Sequence, residues 1–359
     1  MRRVLKLSKI KLGPTLSAVT LSVVFSMALG LQSGSDAKAE TKPKYERPIE
    51  GPQFPAPISG PNADANVDPG LADSERAPDL AFGAYQRGYY LTALRLALPR
   101  AESSDPAAQT LIAEIYWNGL GAAQDKEKAA EWYRFAAEGG GREAQFTYAN
   151  LLLQGDVVPQ NKELGEEFMR KAADAGHPRA QFNVAQFITA RRPTWKGFEI
   201  ALPYYRKAAE AGIADAQYAL ANIWAEAKGV PFSDDEKARS WLEKSAQGGL
   251  DTAQVEYGVW LANGRGGKTD TQEARVWFTR AAVQGNVVAQ NRLARIHAFA
   301  GENPPDLIRA GAWHIIARRA GFNDTELDRV FQAMPEIDKR RAIEAANQLT
   351  RGLLYSIRG

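Results

Sequence analysis

The sequence predicts an all-α protein, an α-solenoid of stacked helix–turn–helix units, and three markers sharing one spacing carry that prediction. An Ala-Gln pair ends at Gln109, Gln145, Gln181, Gln217, Gln254 and Gln290, at intervals of 36, 36, 36, 37 and 36 residues. An aromatic anchor keeps the same count at Trp132, Phe168, Tyr204, Trp241, Trp277 and Trp313. So does a closing glycine at Gly140, Gly176, Gly212, Gly249, Gly285 and Gly321. A period of this length means that one supersecondary unit recurs and buries its apolar face only against its neighbours. The 359 residues therefore need not divide into the two or three independent domains that length alone suggests.

The chain opens with an address. Met1 to Lys11 is basic, Pro14 to Leu31 is mostly apolar, and Ala37-Lys38-Ala39 places small residues before a cut after Ala39. This is the layout of a secretory signal over 1–39, and it predicts a periplasmic protein. The alternatives are an uncleaved inner-membrane anchor, for which the apolar run is short, or secretion to the medium. Once the signal is cleaved, no stable membrane span is expected. Six cations against one anion give residues 1–39 a charge of +5, so the whole-chain +3 becomes −2 without them. The pI of 8.9 thus reports the signal and gives no reason to expect a nucleic-acid partner. The chain has no cysteine, which excludes disulfides, thiolate metal sites, a cysteine nucleophile and a lipoprotein anchor. Residues 40–78 carry eight prolines and no sustained apolar periodicity, so they read as a disordered linker.

From Asp79 the pattern becomes helical. Residues 79–104 form a degenerate entry unit, and six full units follow at 105–140, 141–176, 177–212, 213–249, 250–285 and 286–321. With each glutamine as position zero, position +3 is Ile112, Tyr148, Val184, Leu220, Tyr257 and Leu293. Position +7 is Tyr116, Leu152, Ile188, Trp224, Leu261 and His297. At 100° per residue these positions lie about 40° apart and make one apolar stripe, the predicted core. Alanine or glycine at +4 lets the second helix approach closely. That helix begins with capping signals: Asp125, and the capping-box patterns Ser233–Glu236 and Thr269–Gln272. The closing glycines fit left-handed C-caps. After Gly321 the period stops, and residues 322–359 read as capping helices with a polar outer face, the second starting at Pro335.

The pattern A-Q-aromatic-x-L-[AG], a glycine-bearing loop, then K-A-x-x-W-x-x-K-[AS]-A-x-x-G resembles the Sel1-like repeat, a relative of the tetratricopeptide repeat, over residues 79–321. The resemblance implies a right-handed solenoid whose first helices line a concave groove that holds a protein or peptide. An envelope sensor or an envelope-biogenesis protein is the expected type of partner. Units three and six depart from the pattern: Arg191-Arg192-Pro193-Thr194-Trp195-Lys196 and Asn303-Pro304-Pro305 stand where the glycine loop belongs.

A search for catalytic machinery comes up nearly empty. His177, His297 and His314 have no carboxylate or histidine at ligand spacing beside them in sequence, and no phosphate loop, nucleophile elbow or dinucleotide fingerprint occurs. Neither an enzyme activity, a cofactor nor a metal is expected. The candidate binding residues, Glu114, Asn150, Gln186, Asn222 and Arg295, lie at +5, opposite the core stripe, a position that Val259 fills in unit five. Three consecutive amides on one face can grip a peptide backbone or a sugar hydroxyl, since amides donate and accept. The sequence therefore points to a non-enzymatic interaction scaffold of the bacterial envelope, acting in signalling or integrity. An envelope-active hydrolase or glycan-processing protein, and a secreted host-binding factor, are the rival expectations.

Overall fold

In a computed structural model the chain is helical throughout the described residues, 79–299 and 305–356, among which there is no strand. The signal-like segment 1–39, the proline-rich stretch 40–78, Asn303 and Pro304 of the sixth loop, and residues 357–359 lie outside them. The entry pair is α1 (Leu80–Gln86) and α2 (Tyr90–Glu102). Six pairs follow: α3 (Pro106–Asn118) with α4 (Lys126–Glu138), α5 (Arg142–Gln154) with α6 (Lys162–Asp174), and α7 (Pro178–Arg191) with α8 (Trp195–Glu210). Then come α9 (Ala214–Ala225) with α10 (Asp235–Gln247), α11 (Asp251–Asn263) with α12 (Thr271–Val283), and α13 (Val287–Phe299) with α14 (Leu307–Arg319). Two further helices, α15 (Thr325–Ala333) and α16 (Glu336–Ser356), end the chain. Each repeat helix packs chiefly on the one before and the one after it, and α16 lies on α14. This is a helical repeat solenoid.

The apolar stripe is buried as its spacing requires. Ile112, Tyr148, Val184, Leu220, Tyr257 and Leu293 are all buried, as are the alanines at +4. At +7 the burial is uneven: Leu152, Leu261 and His297 are buried, while Tyr116, Ile188 and Trp224 are half-buried. The glutamine that marks the period has a physical task. Its Nε2 donates to an alanine carbonyl eight residues earlier, near the end of the preceding unit's second helix, in all six units. The pairs are Gln109 to Ala101, Gln145 to Ala137, Gln181 to Ala173, Gln217 to Ala209, Gln254 to Ala246 and Gln290 to Ala282, at 3.0–3.2 Å. Each of these helix-end carbonyls also accepts a backbone N–H from its own turn, so the buried amide is a second donor that ties the next unit to it.

The closing glycines sit where the turn demands them. All six have φ between 86° and 93°. Gly140 N–H bonds Ala137 O and Gly141 N–H bonds Ala136 O, the paired pattern of a Schellman turn. The pattern returns at Gly249, where Gly249 N–H reaches Ala246 O and Leu250 N–H reaches Ser245 O.

The helix starts correct one expectation. Ser233 and Thr269 are not the caps. The next residues, Asp234 and Asp270, accept from Lys237 N–H and Glu273 N–H at 2.9 Å. The reason is a loop tie that the capping-box pattern does not contain. Asp234 N–H bonds Trp224 O, Asp270 N–H bonds Leu261 O, and Asp125 and Asn161 bond Tyr116 O and Leu152 O in the same way. Each tie holds its aspartate or asparagine in the extended conformation, with φ from −140° to −145°. That conformation aims the side chain at the helix it caps.

Unit three closes differently. Its connection is three residues, Arg192–Thr194, and its second helix is 16 residues long where the others have 13. Thr194 caps α8, and its N–H turns back to Arg192 O rather than to a first-helix carbonyl at +7. The terminal helix also departs from expectation. It buries Ala342 and Ala346, but Ile337, Ile343 and Leu349 remain exposed on a face expected to be polar.

Candidate functional site

The candidate face is the row of +5 positions on the first helices, α3, α5, α7, α9, α11 and α13. The +5 residues stand there, and all are half-buried rather than open. Glu114 accepts the Tyr133 hydroxyl at 2.6 Å and the Asn118 amide at 3.2 Å. Burial, reinforced by Glu114, pushes the Tyr133 hydroxyl well above its ordinary range, so it remains a donor. Asn150 turns its amide onto Phe146 O in its own helix, at 2.9 Å. Asn222 bonds the Tyr218 hydroxyl. Gln186 has no hydrogen-bond partner for its side chain among the described residues. Arg295 is neutralised by Asp324 at 2.9 Å and Glu326 at 2.7 Å. The structure thus brings the amides onto one face but commits most of them to local bonds. Of the three amides, Gln186 presents its full capacity.

Other groups of this face had no signal in the periodicity. Tyr218 at +1 donates its hydroxyl across a unit boundary to Glu256 Oε2 at 2.8 Å. Burial pushes the Glu256 carboxyl up from the usual range, while bonds from Tyr218 and Trp260 work against that. Arg292 at +2 of unit six has its Nε buried without an acceptor, and burial with the neighbouring Arg295 lowers its pKa from the usual guanidinium value. Asp324 opposes that shift, and the buried Nε is closed to an incoming group.

The histidines gain carboxylate neighbours through folding. His177 caps α7 by accepting Ala180 N–H on Nδ1 at 3.1 Å, which leaves Nε2 to carry the proton and face Glu143 at 3.0 Å. The ring stacks on Phe146 with centroids 4.1 Å apart. Burial lowers the His177 pKa, partly opposed by Glu143. His314 bonds Asp328 at 2.9 Å, and Arg318 pairs with the same carboxylate. His177 thus joins the first helices of units two and three, α5 and α7, and His314 joins α14 to α15. No group of three or more histidine, cysteine, aspartate or glutamate side chains able to hold a metal occurs among the described residues. No described helix is long and apolar enough to cross a membrane.

The stacked pairs, the shared glutamine bond and the closing glycines define a helical repeat protein of the interaction class. The Sel1 repeat pattern matches residues 106–141, 142–177, 196–213, 214–250, 252–286 and 287–322. The chain belongs to the Sel1 repeat family, whose repeats generally serve as protein-interaction scaffolds and are typically non-catalytic. The match is interrupted between 178 and 195, across the first helix and shortened connection of unit three. Among solved structures, a Sel1 repeat protein from Oxalobacter formigenes is 25% identical, with a TM-score of 0.56 over 68% of this chain and 97% of that one. A protective antigen of uropathogenic Escherichia coli, c5321, is 26% identical with a TM-score of 0.62, over 76% of this chain and 61% of that one. The chain therefore spans less than two thirds of that antigen. A comparison with curated proteins finds no match.

Proposed function

We propose that this protein is a non-enzymatic scaffold of the bacterial cell envelope that holds a protein or peptide partner along its first-helix face. The observation that carries this reading is the unspent amide of Gln186 on that face, set into half-buried surface. An amide donates and accepts, and so recognises a peptide backbone by hydrogen bonds that water competes with poorly there. The signal-like residues 1–39 support the envelope assignment, with the partner an envelope sensor or an envelope-biogenesis protein. The similar c5321 protein is described as a protective antigen, which accords with an exported role. The test is photo-crosslinking from position 150 or 222 in living cells, read together with cell fractionation. The reading expects one dominant protein adduct in the periplasmic fraction, and capture of that same protein by the unaltered chain but not by the chain with Asn150, Gln186 and Asn222 all changed to alanine. Undiminished capture of that protein by the folded triple variant would overturn it.

A further inference from the structure

A pocket lies beside the shortened connection of unit three. In units one, four and five the loop carries a glycine that lies against the start of the preceding unit's second helix. A Cβ on Gly121 would meet Tyr90 and Leu91 of α2, and one on Gly229 would meet Phe198 and Glu199 of α8. One on Gly266 would meet Asp235 and Arg239 of α10. Each loop therefore covers its predecessor by backbone contact. Unit three has no such loop, and Arg191 crosses instead to Glu166 of α6 at 2.5 Å. Beneath that ion pair a pocket of about 180 Å³ opens between α6, α7 and α8. Val184, Phe187, Ile188 and Ile200 supply its apolar surface, and Ile200 is 40% exposed. Its rim is basic: Arg170 and Arg192 are exposed and make no ion pair among the described residues, while Arg191 is balanced by Glu166.

We infer that this pocket docks an acidic peptide segment of a partner protein, taking one aliphatic side chain into the apolar floor and flanking carboxylates onto Arg170 and Arg192. Its size decides against a small-molecule site, which occupies roughly 300–1,000 Å³, and suits a single leucine-sized side chain. The two unpaired guanidiniums set the sign of the flanking charge. This surface lies apart from the first-helix amides, so it is a second docking point, and two weak sites on one scaffold reinforce each other when a partner reaches both.

The test uses the purified chain with isoleucine and valine methyl labels and the probe peptide acetyl-Asp-Leu-Asp-Glu-amide. Saturable shifts of the Ile188, Ile200 and Val184 methyls are expected. Binding should weaken about ten-fold when the probe leucine becomes alanine, and about as much when its acids become amides. The Arg170→Gln/Arg192→Gln variant, altered only at exposed positions, should bind the acidic probe no better than the amide probe. Shifts that do not saturate, that fall outside these methyls, or that are indifferent to the leucine would overturn the inference. Octanoate shifting the same methyls more strongly than the peptide would also overturn it, by assigning the pocket to an anionic amphiphile. Photo-crosslinking from 150 or 222 reports on the other face, so either site can fail without the other.

Discussion

In unit five, residues 264–270 connect α11 to α12, and Gly266 in that loop presses onto α10; in unit three, residues 192–194 alone connect α7 to α8. Both units nevertheless fill the same period, because α8 begins earlier and runs longer. The comparison shows where the repeat is constrained. The unit ends, held by the glutamine-to-carbonyl bond and the closing glycine, keep their spacing. The interior of a unit is free to exchange loop for helix. In unit three an open pocket lies beside that exchange.

Several substitutions put that comparison under load. The largest effect is expected at the two glycines that permit the two closures. A Cβ on Gly197 would run into Arg192 O, and one on Gly266 into Asp235 O, both backbone atoms that cannot rotate away. Alanine at either should cost roughly 3 kcal/mol, with hydrogen exchange showing the loss centred on units three and five respectively. If Gly197→Ala is tolerated, the short turn is not a tight closure. Gly249→Ala is the graded control. Its φ is +91° but a Cβ there meets nothing within 4 Å, so only backbone strain of about 1–2 kcal/mol is expected in urea unfolding.

A smaller loss is expected for Gln254→Met. The Ala246 carbonyl keeps its bond from Gly249 N–H, and the change also removes a buried Gln254 Oε1 that has no donor. These opposing terms hold the cost to about 1 kcal/mol, and Gln181→Met in unit three should match it if the unit ends are equivalent. At the junction of units two and three, His177 makes stability depend on pH. Its folded pKa lies below its unfolded one, so the fold binds fewer protons. Its contribution is complete above pH of about 6.5 and is lost as pH falls through the lowered folded value. His177→Asn should flatten the thermal midpoint against pH across that window. The smallest effect is a gain: Glu256→Gln keeps an acceptor for Tyr218 while removing a half-buried charge, and should stabilise the protein at pH 7 by about 0.5 kcal/mol.

Much of the fold is legible without coordinates. Ile112, Leu220 and Leu293 declare the core by spacing, and Gly176 or Gly285 declares a turn by recurring where a left-handed residue is needed. Local hydrogen bonding decides these features, and local bonding follows from the residues within a few positions. Helix starts are read one residue early at Ser233 and Thr269 because the tie that selects Asp234 and Asp270 comes from a carbonyl in the other helix. The +5 face is half legible. Its membership follows from the wheel, but the bonds that occupy Glu114 and Arg295 come from Tyr133 and from Asp324 with Glu326.

By itself the sequence determined the repeat, its number of units, its core stripe and its closing turns, because each depends on a period that a linear chain displays directly. The tertiary structure alone decided what joins the units. Gln145 clasping Ala137 O, His177 meeting Glu143 and Tyr218 meeting Glu256 depend on how neighbouring helices stack. The pocket beside Arg191 was decided there too. A changed motif in the sequence marks a departure, but only packed helices show whether the space it leaves is filled.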